Sequence, residues 1–206
     1  MAAILDIIMS TLFGGILVII ALTSNQIASE NQSIASGDML VQEILTSTAM
    51  LVEGEFRNMG VGVPGKTPMI TLADSNHIIF LTHLDHRGLT AADVIEYSVG
   101  DPSELAGTQN KLDRHLKRGV NGAALVNLGV VTIFQLKYYG DNMAPINSPV
   151  DAADLPNIRV VEVTIEVQNP YAMTSDNAEL RAGARDAQYS SSLWQQTRLT
   201  TQNQWR

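Results

Sequence analysis

The first sixty residues constrain this chain more than any other stretch. From Ile7 to Leu22 the only polar side chains are Ser10 and Thr11, a single acid (Asp6) lies upstream, and no proline interrupts residues 1–60. One continuous helix over that segment would run about 80–90 Å at 1.5 Å per residue, far beyond the length of an ordinary globular helix. Its first part, Ala3 to Leu22, is 20 residues long. That matches the roughly 20 residues needed to cross about 30 Å of hydrocarbon. No basic side chain occurs before Arg57, so the cationic start of a secretory signal is missing and the run reads as a single membrane span. The expected orientation leaves a short N-terminal end in the cytoplasm and translocates residues 23–206.

After Leu22 the texture turns polar, yet apolar residues return at Ile27, Ile34, Val41, Ile44, Leu45, Leu51, Val52, Phe56 and Met59. These positions fit one stripe of a 3.6-residue period, so the helix is expected to continue as an amphipathic rod. Gly37 interrupts the stripe and predicts a local kink or fraying, at a cost of about 1 kcal/mol relative to Ala. The cluster Gly60-Val-Gly-Val-Pro-Gly65 predicts the helix stop.

Beyond residue 60 the pattern changes to strands. Short β-rich runs occupy 77–82 and 93–99, the latter ending at the turn Gly100-Asp-Pro102. Lys111 to Arg118 reads as a charged edge strand, and Val130 to Tyr139 as one long strand. In Ile158 to Val167, Val161, Val163, Ile165 and Val167 share one face while Val160, Glu162, Thr164 and Glu166 share the other. Leu193 to Thr201 is the last strand candidate, and residues 141–156 and 171–192 read as loops. The expected fold class is α+β. A long N-terminal helix (residues 1–60, with 2–22 membrane-spanning and 23–60 amphipathic) carries a β-rich head (61–206) whose antiparallel sheet packs on the helix's second half.

Composition narrows the function classes. The chain has no cysteine, so disulfides and thiol chemistry are excluded. Its net charge of -8 is uneven: residues 1–56 hold six acids and no Lys or Arg. Nucleic acid is therefore not an expected partner. The one basic cluster, Lys111, Arg114, Lys117 and Arg118, lacks interleaved aromatics. No catalytic constellation is visible, since the serines near Tyr189 lack the glycines of a nucleophile elbow, and an enzyme is not expected.

Several motifs, taken in order, resemble the type IV pilin-like proteins, closest to the minor pilins and pseudopilins of type IV pili and type II secretion systems. An apolar helix with one acid near its start runs into an amphipathic half. That half closes with Glu55-Phe-Arg-Asn-Met-Gly60, similar to the family's acid-Leu-Arg-x-Ala/Gly-Gly ending. Val94-Ile-Glu-Tyr97, Leu112-Asp-Arg114, the Gly-Val-x-x-Phe-x-Leu-x-Tyr-Tyr-like strand ending at Tyr139, the strand Ile158 to Val167, and Thr197 to Asn203 follow in the family's order. The resemblance implies a filament subunit whose partners are copies of itself or other pilin-like subunits, the membrane before assembly, and an inner-membrane assembly machinery. It places the chain first in the cytoplasmic membrane, then in an extracellular filament or periplasmic pseudopilus. Asp6 stands where the family has Glu, fifth in the mature chain, and removal of Met1 would put Asp6 in that register. The family's basic leader ending in Gly is not visible here.

The resemblance implies that Asp6 pairs with the N-terminal amine of a neighbouring subunit. A plainer alternative places its carboxylate at headgroup level, where it costs little, against roughly 2.5–3.5 kcal/mol deep in the bilayer. Gly14 and Gly15 mark either close helix packing or a local unwinding. His77, His83, Asp85 and His86 suggest a metal site, but three ligands within four residues strain a tetrahedral shell, and polar strand ends explain them more simply. Asp141, Asn142, Asp151 and Asp154 would suit Ca²⁺, although without the tight Asp-x-Asp-x-Asp spacing they read better as a solvated loop. No cofactor is therefore expected. The rival to a filament subunit is a single-span protein whose extracytoplasmic β-domain binds a partner and never polymerises.

Overall fold

The computed structural model describes residues 2–63, 68–84, 92–107, 110, 112–168 and 192–200. Helix α1, Ala2–Arg57, is one unbroken α-helix of 56 residues, about 84 Å long at 1.5 Å per residue. It does not break at Gly37. That glycine is instead the first buried position of the helix's packed face. The packed face continues through Val41, Leu45, Thr48, Ala49, Val52, Glu55, Phe56 and Met59. Three- and four-residue steps keep these side chains on one stripe. Ile27 and Leu51, expected on that stripe, are exposed.

The strands are β1 (Ile70–Ala73), β2 (His77–Thr82), β3 (Asp93–Val99), β4 (Arg114–Val120), β5 (Val126–Val131), β6 (Ile133–Tyr139), β7 (Pro145–Ile146), β8 (Val160–Gln168) and β9 (Ser192–Thr200). They form two antiparallel sheets, not one, ordered β1-β2-β3-β4-β5 and β7-β6-β8-β9. The expected long strand at 130–139 is two strands in different sheets, divided at Thr132, whose backbone N–H and hydroxyl both donate to the Glu166 carbonyl. The charged run expected at an edge is β4, an interior strand between β3 and β5. Two of its charges are paired there, Arg118 with Glu55 and Lys117 with Glu104. Short β1 and β7 are additional, and residues 141–156 hold β7 and a 3₁₀ turn at Asp141–Met143.

One contiguous core joins the packed face of α1 to both sheets. Phe56 lies edge-on to Phe80 and Tyr97, with ring centroids 5.1 and 5.6 Å away, a favoured aromatic geometry. The sheets are also tied through the β1–β2 turn. Tyr138 Oη donates to the Asp74 carbonyl at 2.7 Å, and the Leu136 N–H donates to the Ser75 carbonyl at 2.7 Å. Ser75 N–H and Ser148 Oγ hold the Asp74 carboxylate and set its pKa below the usual carboxylate value.

Candidate anchoring and assembly surface

Among the described residues, no side chain of the first half of α1 is buried. Ile4, Ile7, Ile8, Leu12, Phe13, Ile16, Leu17, Val18, Ile19, Ile20 and Leu22 are all exposed, on every side of the helix. A helix apolar all round is suited to lipid or to the interior of an assembly, not to a globular surface. It is long and apolar enough to cross a membrane. The hydroxyls of Ser10, Thr11 and Thr23 are satisfied within the helix. Ser10 donates to the Ile7 carbonyl at 3.0 Å, Thr11 to Ile7 and Ile8 at 2.9 Å, and Thr23 to Ile19 at 2.8 Å. Within the apolar run itself, neither Ser10 nor Thr11 would leave a hydroxyl donor unpaired in hydrocarbon, where an unsatisfied polar group costs several kcal/mol.

Asp6 is exposed one turn inside the helix. Gly14 and Gly15 stay α-helical, and a Cβ at either would meet only open space. Each therefore presents bare backbone to whatever packs alongside.

The second half of α1 is fastened to both sheets by two acids of its last turns. Glu55 is buried and faces the five-stranded sheet. Tyr97 Oη donates to its Oε2 at 2.5 Å, Arg118 Nε donates to the same oxygen at 2.9 Å, and Arg118 also bonds Oε1. This is a bidentate, charge-assisted pair with a third donor added. Burial, then the bond to Glu55, raises the Tyr97 pKa well above 10, and the carboxylate raises that of Arg118. Glu53 faces the four-stranded sheet, where Thr197 Oγ1 and Gln195 Nε2 donate to its Oε1 at 2.6 and 3.1 Å. The end of the helix is held by β2: Gly60 N–H donates to the Leu81 carbonyl at 2.8 Å, and Thr82 Oγ1 donates to the Asn58 carbonyl at 2.6 Å.

The residues considered for a metal fall apart into local pairs. His77 Nε2 lies 2.9 Å from Glu96 Oε1, while His83 Nε2 lies 3.2 Å from the Gly62 carbonyl. Asp85 and His86 lie outside the described residues, as do Lys111, Tyr189 and 201–203. Asp141 accepts from Arg159 at 3.1 Å, and the loop pocket it shares with Asp151 and Asp154 is wide and open. Among the described residues no three His, Cys, Asp or Glu side chains are grouped to hold a metal ion.

Sequence reasoning missed one buried charge. Glu162, on the outward face of β8, is 2% exposed beneath Arg198 on β9, Lys137 on β6 and Tyr139. Arg198 Nε donates to Oε2 at 2.6 Å and its guanidinium lies 5.6 Å from the Tyr139 ring centroid. Burial alone would raise the Glu162 pKa, but the bonds from Arg198 and Gln196 and the nearby cations outweigh it, and the pKa lies below 4.5. The signal was present in the alternation of β8, β6 and β9, where basic side chains flank an acid once the register is known.

Comparison with protein-family models, curated proteins and solved structures returns no match.

Proposed function

We propose that this chain is a pilin-like subunit of a type IV pilus-like filament or secretion pseudopilus. The first half of α1 holds it in the cytoplasmic membrane, N-terminus inside, and assembly then packs that half against the same segment of neighbouring subunits. The observation that carries the reading is a single 56-residue helix, exposed and apolar on all sides in its first half and built into two sheets in its second. A domain needing only an anchor has no use for a rigid continuation of that anchor through its own core. A filament does, because the continuous helix transmits the position of the packed half to the head.

The energetics favour exchange of lipid for protein neighbours only modestly, since acyl chains are already apolar. Transfer from water would contribute about 25 cal/mol per Å² of apolar area, whereas packing, backbone approach at Gly14 and Gly15, and pairing of Asp6 supply the preference over lipid. Asp6, carrying a charge that is costly in hydrocarbon, would meet the N-terminal amine of an adjacent subunit.

The test is electron microscopy of sheared surface material, with the chain identified in the filaments by mass spectrometry, alongside Asp6→Ala. Filaments containing the wild-type chain and depleted of the variant support the reading. A chain recovered only as a detergent-soluble monomer replaces it with a single-span protein whose β-domain binds a partner. Normal incorporation of Asp6→Ala would sink the amine pairing while leaving the filament role standing.

A further inference from the structure

Asn121 and Gly122 are the chain's only Asn-Gly pair. They form the tight turn that leaves β4, where the Ala123 N–H donates to the Val120 carbonyl at 3.0 Å. Both have positive φ, 53° and 72°, the condition of a type I′ turn and the reason Asn-Gly suits it. Both are exposed, and no backbone carbonyl among the described residues accepts from the Gly122 N–H.

The Asn121 side chain, by contrast, is bound through both ends of its amide. Its Oδ1 accepts from the Val94 N–H at 2.8 Å, and its Nδ2 donates to Asp93 Oδ1 at 2.8 Å. That second bond is the main reason the Asp93 pKa lies below the usual carboxylate value. Asp93 Oδ2 in turn accepts from the Leu84 N–H at 3.1 Å. One carboxylate thus clasps the hairpin turn, the start of β3 and the exit of β2. Thr82, the β2 partner of Asp93, is also the residue whose hydroxyl holds the Asn58 carbonyl at the end of α1.

We propose that Asn121 is a site of spontaneous deamidation, restrained by this clasp, and that the modification releases the clasp for good. Asparagine is a thermolabile residue, and a following glycine has no Cβ to hinder its own backbone nitrogen. The Gly122 nitrogen gives up its proton to water and attacks Asn121 Cγ. An N–Cγ bond forms, the Cγ–Nδ2 bond breaks, and Nδ2 takes up a proton and leaves as ammonia. Water then opens the five-membered imide. Cleavage of the new N–Cγ bond yields aspartate, whereas cleavage at the main-chain carbonyl yields isoaspartate and adds a methylene to the backbone. Water is the only co-reactant, and the net change replaces an amino group by a hydroxyl.

Ring closure requires Cγ to turn onto the nitrogen that follows it, and two bonds to β3 oppose that turn. Reaction therefore proceeds through local opening of the hairpin tip, a low-cost event at an exposed turn. The product cannot restore what was lost. A carboxylate at position 121 accepts only, so it offers Asp93 no donor and sets a like charge beside it. The loosening stays local, because neither Asp93 nor Asn121 belongs to the hydrophobic core. It reaches α1 only through Thr82.

The full-length chain in detergent micelles, aged in mildly alkaline buffer and followed by peptide mass spectrometry, tests both halves of the proposal. Folded wild type should convert Asn121 at least about tenfold more slowly than the same chain unfolded in urea. Asp93→Ala removes the acceptor and should raise the folded rate about tenfold. Equal rates for folded and unfolded wild type overturn the inference, as do equal rates for folded wild type and folded Asp93→Ala. A rise accompanied by lost hydrogen-exchange protection across β8 overturns it too, because the opening would then be global. Asn121→Asp makes the product directly and should speed exchange of the Val94 amide about tenfold while β8 stays protected. A Val94 amide that exchanges as in wild type overturns the release.

Discussion

Removing Glu55 tests whether the helix is fastened to the five-stranded sheet by the polar contacts described above or by apolar burial alone. Glu55→Ala leaves two donors stranded: the Tyr97 hydroxyl, on a residue with no exposure, and the Arg118 guanidinium, whose side chain is 22% exposed. Breaking a buried ion pair by deleting one partner costs about 3–5 kcal/mol. The partial exposure of Arg118 lets water recover some of this, so the lower end, about 3 kcal/mol, is expected. Tyr97→Phe removes only one bond to a charged acceptor and should cost about 1.5–2 kcal/mol. Because both changes act on one cluster, the double variant should fall short of their sum. Urea unfolding of the full chain in detergent, followed by the β-sheet circular dichroism signal, gives the differences at constant m. A Glu55→Ala cost below about 1 kcal/mol would refute the reasoning, because it would mean that neither donor suffers from losing its acceptor.

The other attachments give smaller, separable effects. Thr197→Val deletes the short bond to Glu53 while keeping the side-chain shape, and should cost about 1 kcal/mol in the same unfolding experiment. Gly60 sits at φ +78°, where an added Cβ would lie 2.0 Å from Met69 Sδ. Gly60→Ala should therefore destabilise by about 1–3 kcal/mol, and a fully stable variant would show that the turn re-forms elsewhere. In acid, Glu162 and Asp74 have folded pKa values below their unfolded ones. Their contribution is present above the normal carboxylate range and is lost as pH falls through the folded values, so the urea midpoint should drop below about pH 4. Tyr97 and Tyr138 are shifted the other way. Their contribution is complete below about pH 10 and is lost as pH rises above it, and Tyr97→Phe should flatten the alkaline limb.

Much of the architecture was legible because it rests on period alone. A 3.6-residue stripe and an all-apolar run specify α1, and strict alternation specifies β8. The errors came from residues whose meaning depends on distant partners. Thr132 is an unremarkable β-former in a run of β-formers, and only its two bonds to the Glu166 carbonyl turn Val130–Tyr139 into strands of separate sheets. The charges of β4 looked like those of an edge because Arg118 and Lys117 meet their acids 63 and 13 residues away. Ile27 fits the stripe but lies beyond the reach of the head. Glu162 looked like the polar side of an alternating strand, and burial beneath two cations became visible only with the registers of β6 and β9.

The two acids at the end of α1 explain how one helix can carry an exposed apolar half and also form part of the head's core. Glu53 and Glu55 are two residues apart, hence about 200° apart around the axis, and each meets a different sheet: Glu53 meets β9, while Glu55 meets β3 and β4. The apolar stripe between them allows some sliding and rotation, because dispersion and apolar burial carry little directional preference. Hydrogen bonds do not, and two sets on opposite flanks fix both the rotation and the axial position of the helix. The exposed first half inherits that setting through about 30 residues of unbroken helix. Loosening either flank should therefore disturb the angle between rod and head before it unfolds the head. In the full chain, the exposed face of the first half would then lose its fixed bearing relative to β9.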